Sequence, residues 1–125
     1  MILDTNAISA VLDGDPAIGL LLSAGEKHHL PVIALGEYRF GLHSSRRRKV
    51  LGSLLDTLEA ESFLLAVDAV TARLYADVRK ELKTSGKSIP ENDIWIAALA
   101  RQHELEVVSR DGHFDGVPGL RRRSW

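Results

Sequence analysis

Four carboxylates stand where a protein of this pattern would keep its chemistry. Asp4 closes the apolar run Ile2-Leu3 and is followed at once by Thr5-Asn6, residues that start helices. Glu37, Asp93 and Asp111 recur in matching contexts, each at an apparent element end or beside a short helix. Four such groups brought close together cannot all stay ionised unaided. Two unit charges ~4 Å apart repel by roughly 4 kcal/mol at an effective dielectric near 20. Protons or a cation must resolve that repulsion. An all-oxygen set without cysteine or a spaced histidine pair favours a hard ion, Mg²⁺ or Mn²⁺, over Zn²⁺. Such an ion keeps water ligands and engages phosphates. The chemistry that follows is metal-assisted phosphodiester hydrolysis, with a spare carboxylate to take the proton of the attacking water.

Each acid also has a plain structural role when taken singly. Asp4 can cap a helix, Glu37 can sit on the surface, Asp93 can complement a helix dipole and Asp111 can shape a turn. What decides between the readings is whether the elements bring the four to one place.

The elements follow from hydrophobic periodicity. Met1 to Leu3 reads as a short buried strand, followed by a helix from Thr5 or Asn6 to about Leu12 that ends at Asp13-Gly14-Asp15-Pro16. Pro16 to Ala24 is helical, and Leu30-Pro31-Val32-Ile33 is a second strand. Ala34 to His43 carries Leu35, Tyr38 and Leu42 at helical spacing, with Glu37 beside them. Val50 to Leu58 is a further helix, and the wholly apolar run Phe63 to Val67 predicts a third strand covered on both faces. Leu74, Val78 and Leu82 mark a long helix from Val70 to Lys83, and the next opens at Ile89-Pro90-Glu91-Asn92-Asp93 and runs to about His103. Glu106 to Ser109 is a fourth strand, Asp111 to Asp115 a polar turn, and Leu120 to Arg122 a last edge strand.

Strands separated by helices imply parallel pairing with right-handed crossovers. The predicted fold class is α/β, with helices on both faces of a small, mainly parallel sheet. In such a sheet the carboxyl ends of the strands share one edge, so Asp4 and Asp111 converge there. Glu37, one turn into the helix after the second strand, and Asp93, in the first turn of the helix before the fourth, reach back over the same edge.

The 125 residues suit a single domain, 1–125, and no repeat or linker interrupts them. Apolar residues at 45% and charged residues at 26% describe a chain that folds, not a disordered one. The lack of cysteine excludes disulfides, thiolate metal sites and a cysteine nucleophile. With no secretory signal and no apolar run near the ~20 residues of a membrane span, the expected location is cytoplasmic. A net charge of −1 gives no global attraction for nucleic acid, so polyanion contacts must be local. Arg46-Arg47-Arg48-Lys49 and Arg121-Arg122-Arg123 are the local candidates.

Four stretches resemble one family: Leu3-Asp4-Thr5-Asn6, Ala34 to Leu42 around Glu37, Pro90 to Ala98 around Asp93, and Val108 to Phe114 around Asp111. Together with Val117-Pro118-Gly119-Leu120 they are similar to the PIN-domain ribonucleases, specifically the VapC toxins of bacterial toxin-antitoxin pairs. The resemblance covers nearly the whole chain. It implies a PIN-like three-layer α/β/α sandwich and a Mg²⁺-dependent endoribonuclease, with Mn²⁺ substituting. It further implies that Asp4, Glu37, Asp93 and Asp111 are catalytic, with Asp4 and Asp93 the first metal ligands. Asp111, and Asp115 if it belongs to the site, would complete the set directly or through water. Thr5, Asn6 and Ser109 match the polar residues the family places around the acids. A cognate antitoxin, an RNA substrate and a homodimer are the implied partners.

Arg46, Arg47 and Arg48 are the expected phosphate contacts, with Arg39 and Arg110 flanking the acids. For Arg121 to Arg123 a solvated face is the expectation. The five histidines show no ligand spacing and are expected on the surface, Tyr38, Phe40 and Trp95 are expected to pack, and Trp125 is a candidate for a subunit interface. Two alternative enzyme classes fail. An aspartyl-phosphate mechanism wants a second Asp where Asn6 stands, and no Gly-rich turn follows any strand to hold a dinucleotide. A non-catalytic RNA-binding or scaffold domain of the same fold would be signalled by an incomplete acidic set, and this set is complete.

Overall fold

In the computed structural model, which describes residues 1–125, each of the first three strands is followed by two helices. Strand β1 (Ile2–Leu3) leads into α1 (Thr5–Leu12) and α2 (Pro16–Leu22). Strand β2 (His29–Pro31) leads into α3 (Val32–Leu42) and α4 (Arg48–Ala60), and β3 (Phe63–Leu65) into α5 (Ala69–Thr84) and α6 (Glu91–His103). Strand β4 (Val107–Val108), a 3₁₀ turn at Gly112–Gly116 and β5 (Arg122–Arg123) complete the chain.

The five strands form one sheet in the order β3-β2-β1-β4-β5, all parallel. Ile2 pairs with His29 on one side and with Val107 on the other, so β1 is central. Successive side chains of a strand point to opposite faces, and Ile2, Leu3, Val107 and Val108 are all fully buried. The middle of the sheet is therefore covered on both sides. The chain moves outward from β1 through β2 to β3 and then crosses to β4. This reversal puts the switch point, where such sheets open a crevice, between β1 and β4.

Local chemistry sets the helix ends. Asp4 caps α1 by accepting from the Thr5 amide, and Asp15 caps α2 ahead of Pro16 at its first position. Asp68 and Thr71 form a reciprocal capping box on α5. Gly14 and Gly86, both with positive φ, end α1 and α5 where a side chain would be strained. Helix α6 buries Ile94, Ile96, Ala97, Ala98, Leu99 and Ala100, so it lies largely inside the molecule and draws the acid of its first turn, Asp93, inward with it. No helix is long and apolar enough to cross a membrane.

The third strand differs from its sequence expectation in one instructive way. It is an edge strand, and Phe63 and Leu64 are each 49% exposed where cover on both faces was expected. An apolar run reports β-propensity but not position in the sheet, and β3 is outermost. The Lys27 ammonium lies 4.8 Å from the Phe63 ring centre, and the His29 ring stacks against the same phenyl group.

Candidate active site

The crevice at the switch point is a cleft of about 790 Å³. Asp4, Glu37, Asp93 and Asp111 all line it, and no Lys or Arg does. The four acids expected from the sequence are thus gathered from β1, α3, α6 and the end of β4.

Asp4 is the most elaborately held. Its Oδ1 accepts from the Thr5 amide at 2.7 Å, and its Oδ2 accepts from the Ser109 hydroxyl at 2.9 Å and from the Asn6 side-chain amide at 3.2 Å. Ser109, fully buried, also accepts from the Asp111 amide at 2.9 Å, while the Arg110 amide donates to Asn6 at 3.2 Å. The ends of β1 and β4 are therefore tied by side chains beyond their ladder. Thr5 donates its hydroxyl to Glu37 Oε2 at 2.8 Å, linking α1 to α3. Plain helix capping and site support are here the same set of bonds.

These contacts do not neutralise the site. Burial raises the Asp4 carboxyl above the ordinary range, and the charges of Glu37 and Asp111 add to it, against the bonds from Ser109 and Thr5. Asp93, 8% exposed, is pushed up to about 6 by burial first and then by the charge of Asp4. Neither acid has a Lys or Arg within ion-pair distance. The one cationic candidate is His113, whose Nδ1 lies 3.3 Å from Asp93 Oδ2 and 2.9 Å from Asp111 Oδ1. Potential ligand atoms of Asp93, Asp111 and His113 all fall within 4.8 Å of one another. His113 is exposed, as expected of the histidines, yet its ring joins the acids, a role the lack of ligand spacing did not announce. His28 and His29, by contrast, are half-buried and depart from the surface expectation. For His113, its place two residues after Asp111, inside the same turn, is the signal in the sequence.

Other candidates land elsewhere. Asp115 turns away from the cleft into a two-bond pair with Arg122, both contacts 2.8 Å, and Arg122 holds its carboxyl below the usual range. Arg122 and Arg123, the latter paired with Glu106 and Glu26, are committed to ion pairs, not to a solvated face. Arg39 is bound to Asp56 at 3.0 Å and Glu59 at 2.6 Å, away from the acids it was expected to flank. Arg110 reaches Asp15 at 3.2 Å and lies over Trp125, so Trp125 folds back on its own chain. Trp95 packs on Tyr75, whereas Phe40 is 78% exposed because it sits opposite the Leu35-Tyr38-Leu42 face of α3. Arg46, Arg47, Arg48 and Lys49 are exposed, and the run is bracketed by Ser45 and Leu51, both on the cleft wall. Arg47 makes only a long contact, 3.8 Å, to Asp13.

A central parallel sheet with an acid-lined crevice at its switch point is the framework of a PIN-type domain, and the chain belongs to the PIN domain family, whose profile matches residues 1–120. Within that family its relatives are VapC-type toxins. Ribonuclease VapC5 of Mycobacterium tuberculosis is 32% identical over 120 residues, which cover 94% of this chain and 87% of the relative. The VapBC-5 structure from the same organism, a member of the VapBC family of toxin-antitoxin systems, has a chain 30% identical with a TM-score of 0.72, covering 98% of this chain and 94% of that one. The VapBC2 structure from Rickettsia felis, at 24% identity, superposes with a TM-score of 0.86 over 99% of this chain and 97% of that one, a likeness of fold.

Proposed function

We propose that this protein is the toxin of a type II toxin-antitoxin pair, an endoribonuclease that hydrolyses RNA phosphodiester bonds with Mg²⁺. One observation carries the reading: four carboxylates from four separate elements share a cleft that contains no Lys or Arg. The donor set fits a hard divalent ion, because Asp4 and Asp93 are buried, raised by burial and by neighbouring acids, and without a Lys or Arg partner. Asp4 and Asp93 hold the ion, with Asp111 completing the set directly or through water. When bound, Mg²⁺ supplies Lewis-acid polarisation of the phosphoryl oxygen and a water ligand of lowered pKa.

The chain's own residues do the rest. Ser109 and Asn6 fix the orientation of Asp4, so its carboxylate is set before substrate arrives. Thr5 holds one oxygen of Glu37 and leaves the other to accept a proton from the attacking water. Arg46, Arg47 and Arg48 grip phosphates of the strand that enters the cleft, since the cleft itself repels a polyanion. An antitoxin would silence the site by pushing a cationic side chain among the acids, and the chain's kinship to VapBC proteins supports such a partner. The same proposal takes the working unit to be a homodimer acting in the cytoplasm.

Asp4→Asn removes a charge but little volume. The expected outcome is loss of cleavage by about a thousandfold, near 4 kcal/mol of transition-state stabilisation, with the circular dichroism spectrum unchanged. Mapping of RNA 5′ ends after induction of wild type and variant measures both the loss and the target. Wild-type cutting by the variant would sink the assignment of Asp4.

A further inference from the structure

The 3₁₀ turn at Gly112–Gly116 is anchored by Phe114, fully buried, and opened by Asp111, whose side chain accepts from the His113 amide at 2.9 Å. Anchored at both points, the turn brings the His113 ring against Asp93 and Asp111, two of the acids that line the cleft. Its Nδ1 is 2.9 Å from Asp111 Oδ1 and 3.3 Å from Asp93 Oδ2. These separations bracket the ~3.0 Å between adjacent ligands of an octahedral ion with bonds of ~2.1 Å. The side chain is 47% exposed, so an ion reaches it from solvent.

We propose that His113 is a nitrogen ligand of the divalent ion and makes this a mixed site that selects Mn²⁺ over Mg²⁺. The inference rests on the reading that these acids hold such an ion, and it revises which ion they prefer. Carboxylates alone serve Mg²⁺ and Mn²⁺ comparably, whereas an imidazole nitrogen contributes more to a first-row transition ion than to Mg²⁺. The competing role for the ring is a hydrogen-bonding bridge between two acids, which would leave ion choice unchanged.

Mn²⁺ binding to the purified chain, followed by electron paramagnetic resonance with Mg²⁺ in competition, separates the two. Wild type should show nitrogen hyperfine coupling to bound Mn²⁺ and bind it at least about tenfold tighter than Mg²⁺. His113→Ala should lose the coupling and about tenfold in Mn²⁺ affinity, with Mg²⁺ affinity within about threefold of wild type. His113→Gln, which keeps a polar group of similar reach, should also lose the coupling and the preference, excluding a loss through misfolding. Mn²⁺ bound by wild type without nitrogen coupling, or equal weakening of both ions by His113→Ala, would overturn the ligand role and leave the acidic site standing. Failure of wild type to bind either ion at millimolar concentration would overturn the metal reading itself, and this inference with it.

Discussion

Asp111 and Asp115 lie four residues apart at one turn, yet their electrostatic settings are opposite. Asp115 is exposed and matched by Arg122 through two 2.8 Å contacts. Asp111 faces a cleft it shares with Asp4, Glu37 and Asp93 and with no Lys or Arg. The same contrast holds at larger scale. Around the outside, Asp15, Asp56, Glu59, Glu81 and Glu106 each have an arginine, and even Glu91 on the cleft wall has Arg79. A fold that supplies arginine to so many surface acids leaves its most buried ones repelling each other. Uncompensated charge in a preformed crevice marks a place where something else completes the balance.

The largest test of the contrast is catalytic. Asp93→Asn should reduce RNA cleavage by about a thousandfold, whereas Asp115→Asn should stay within about twofold, both measured under single-turnover conditions. Comparable losses from the two would erase the distinction between the regions. A smaller effect is expected from the basic run. Changing Arg46, Arg47 and Arg48 together to Ser should weaken RNA binding about tenfold at moderate salt. The slope of log affinity against log salt should fall by about 2, at ~0.7 for each phosphate no longer neutralised. An unchanged slope would place the phosphate contacts elsewhere.

The smallest effect is on stability. In the metal-free protein the Asp93 carboxyl is raised from 3.8 to about 6, so the folded state holds that proton more tightly than the unfolded chain. The acid therefore carries no penalty when protonated in both states, and the penalty grows as pH rises from 3.8 to about 6 and is full above that. Asp93→Asn should make the metal-free protein more stable at pH 7.5 by about 1 to 2 kcal/mol after allowance for solvent screening, and the advantage should shrink toward pH 5. Urea midpoints of both proteins across that range measure it. An advantage independent of pH would mean that repulsion at Asp93 is not its source.

Much of the site was legible because each acid is fixed by an element that the sequence announces. Asp4 closes an apolar strand, Glu37 and Asp93 sit at set positions on periodic helices, and Asp111 follows Val107-Val108. The alternation of strands and helices likewise carried the parallel sheet. What escaped depended on contacts made after folding. His113 joins the acids only because a 3₁₀ turn curls its ring back, and Asp115 leaves them only because β5 brings Arg122 alongside. The edge position of β3 escaped for a related reason, since Phe63-Leu64-Leu65 is as apolar as a central strand and strand order lies in the crossovers, not in composition.

The central claim is that the unbalanced acids work by holding a divalent ion. It is tested most directly by removing the ion from active wild-type protein with excess EDTA, following cleavage of an RNA mapped as its substrate, and then restoring Mg²⁺ or Mn²⁺. Cleavage should stop on chelation and return on addition of either ion for wild type and Asp115→Asn, and should not return for Asp93→Asn. Undiminished cutting in EDTA would contradict the claim.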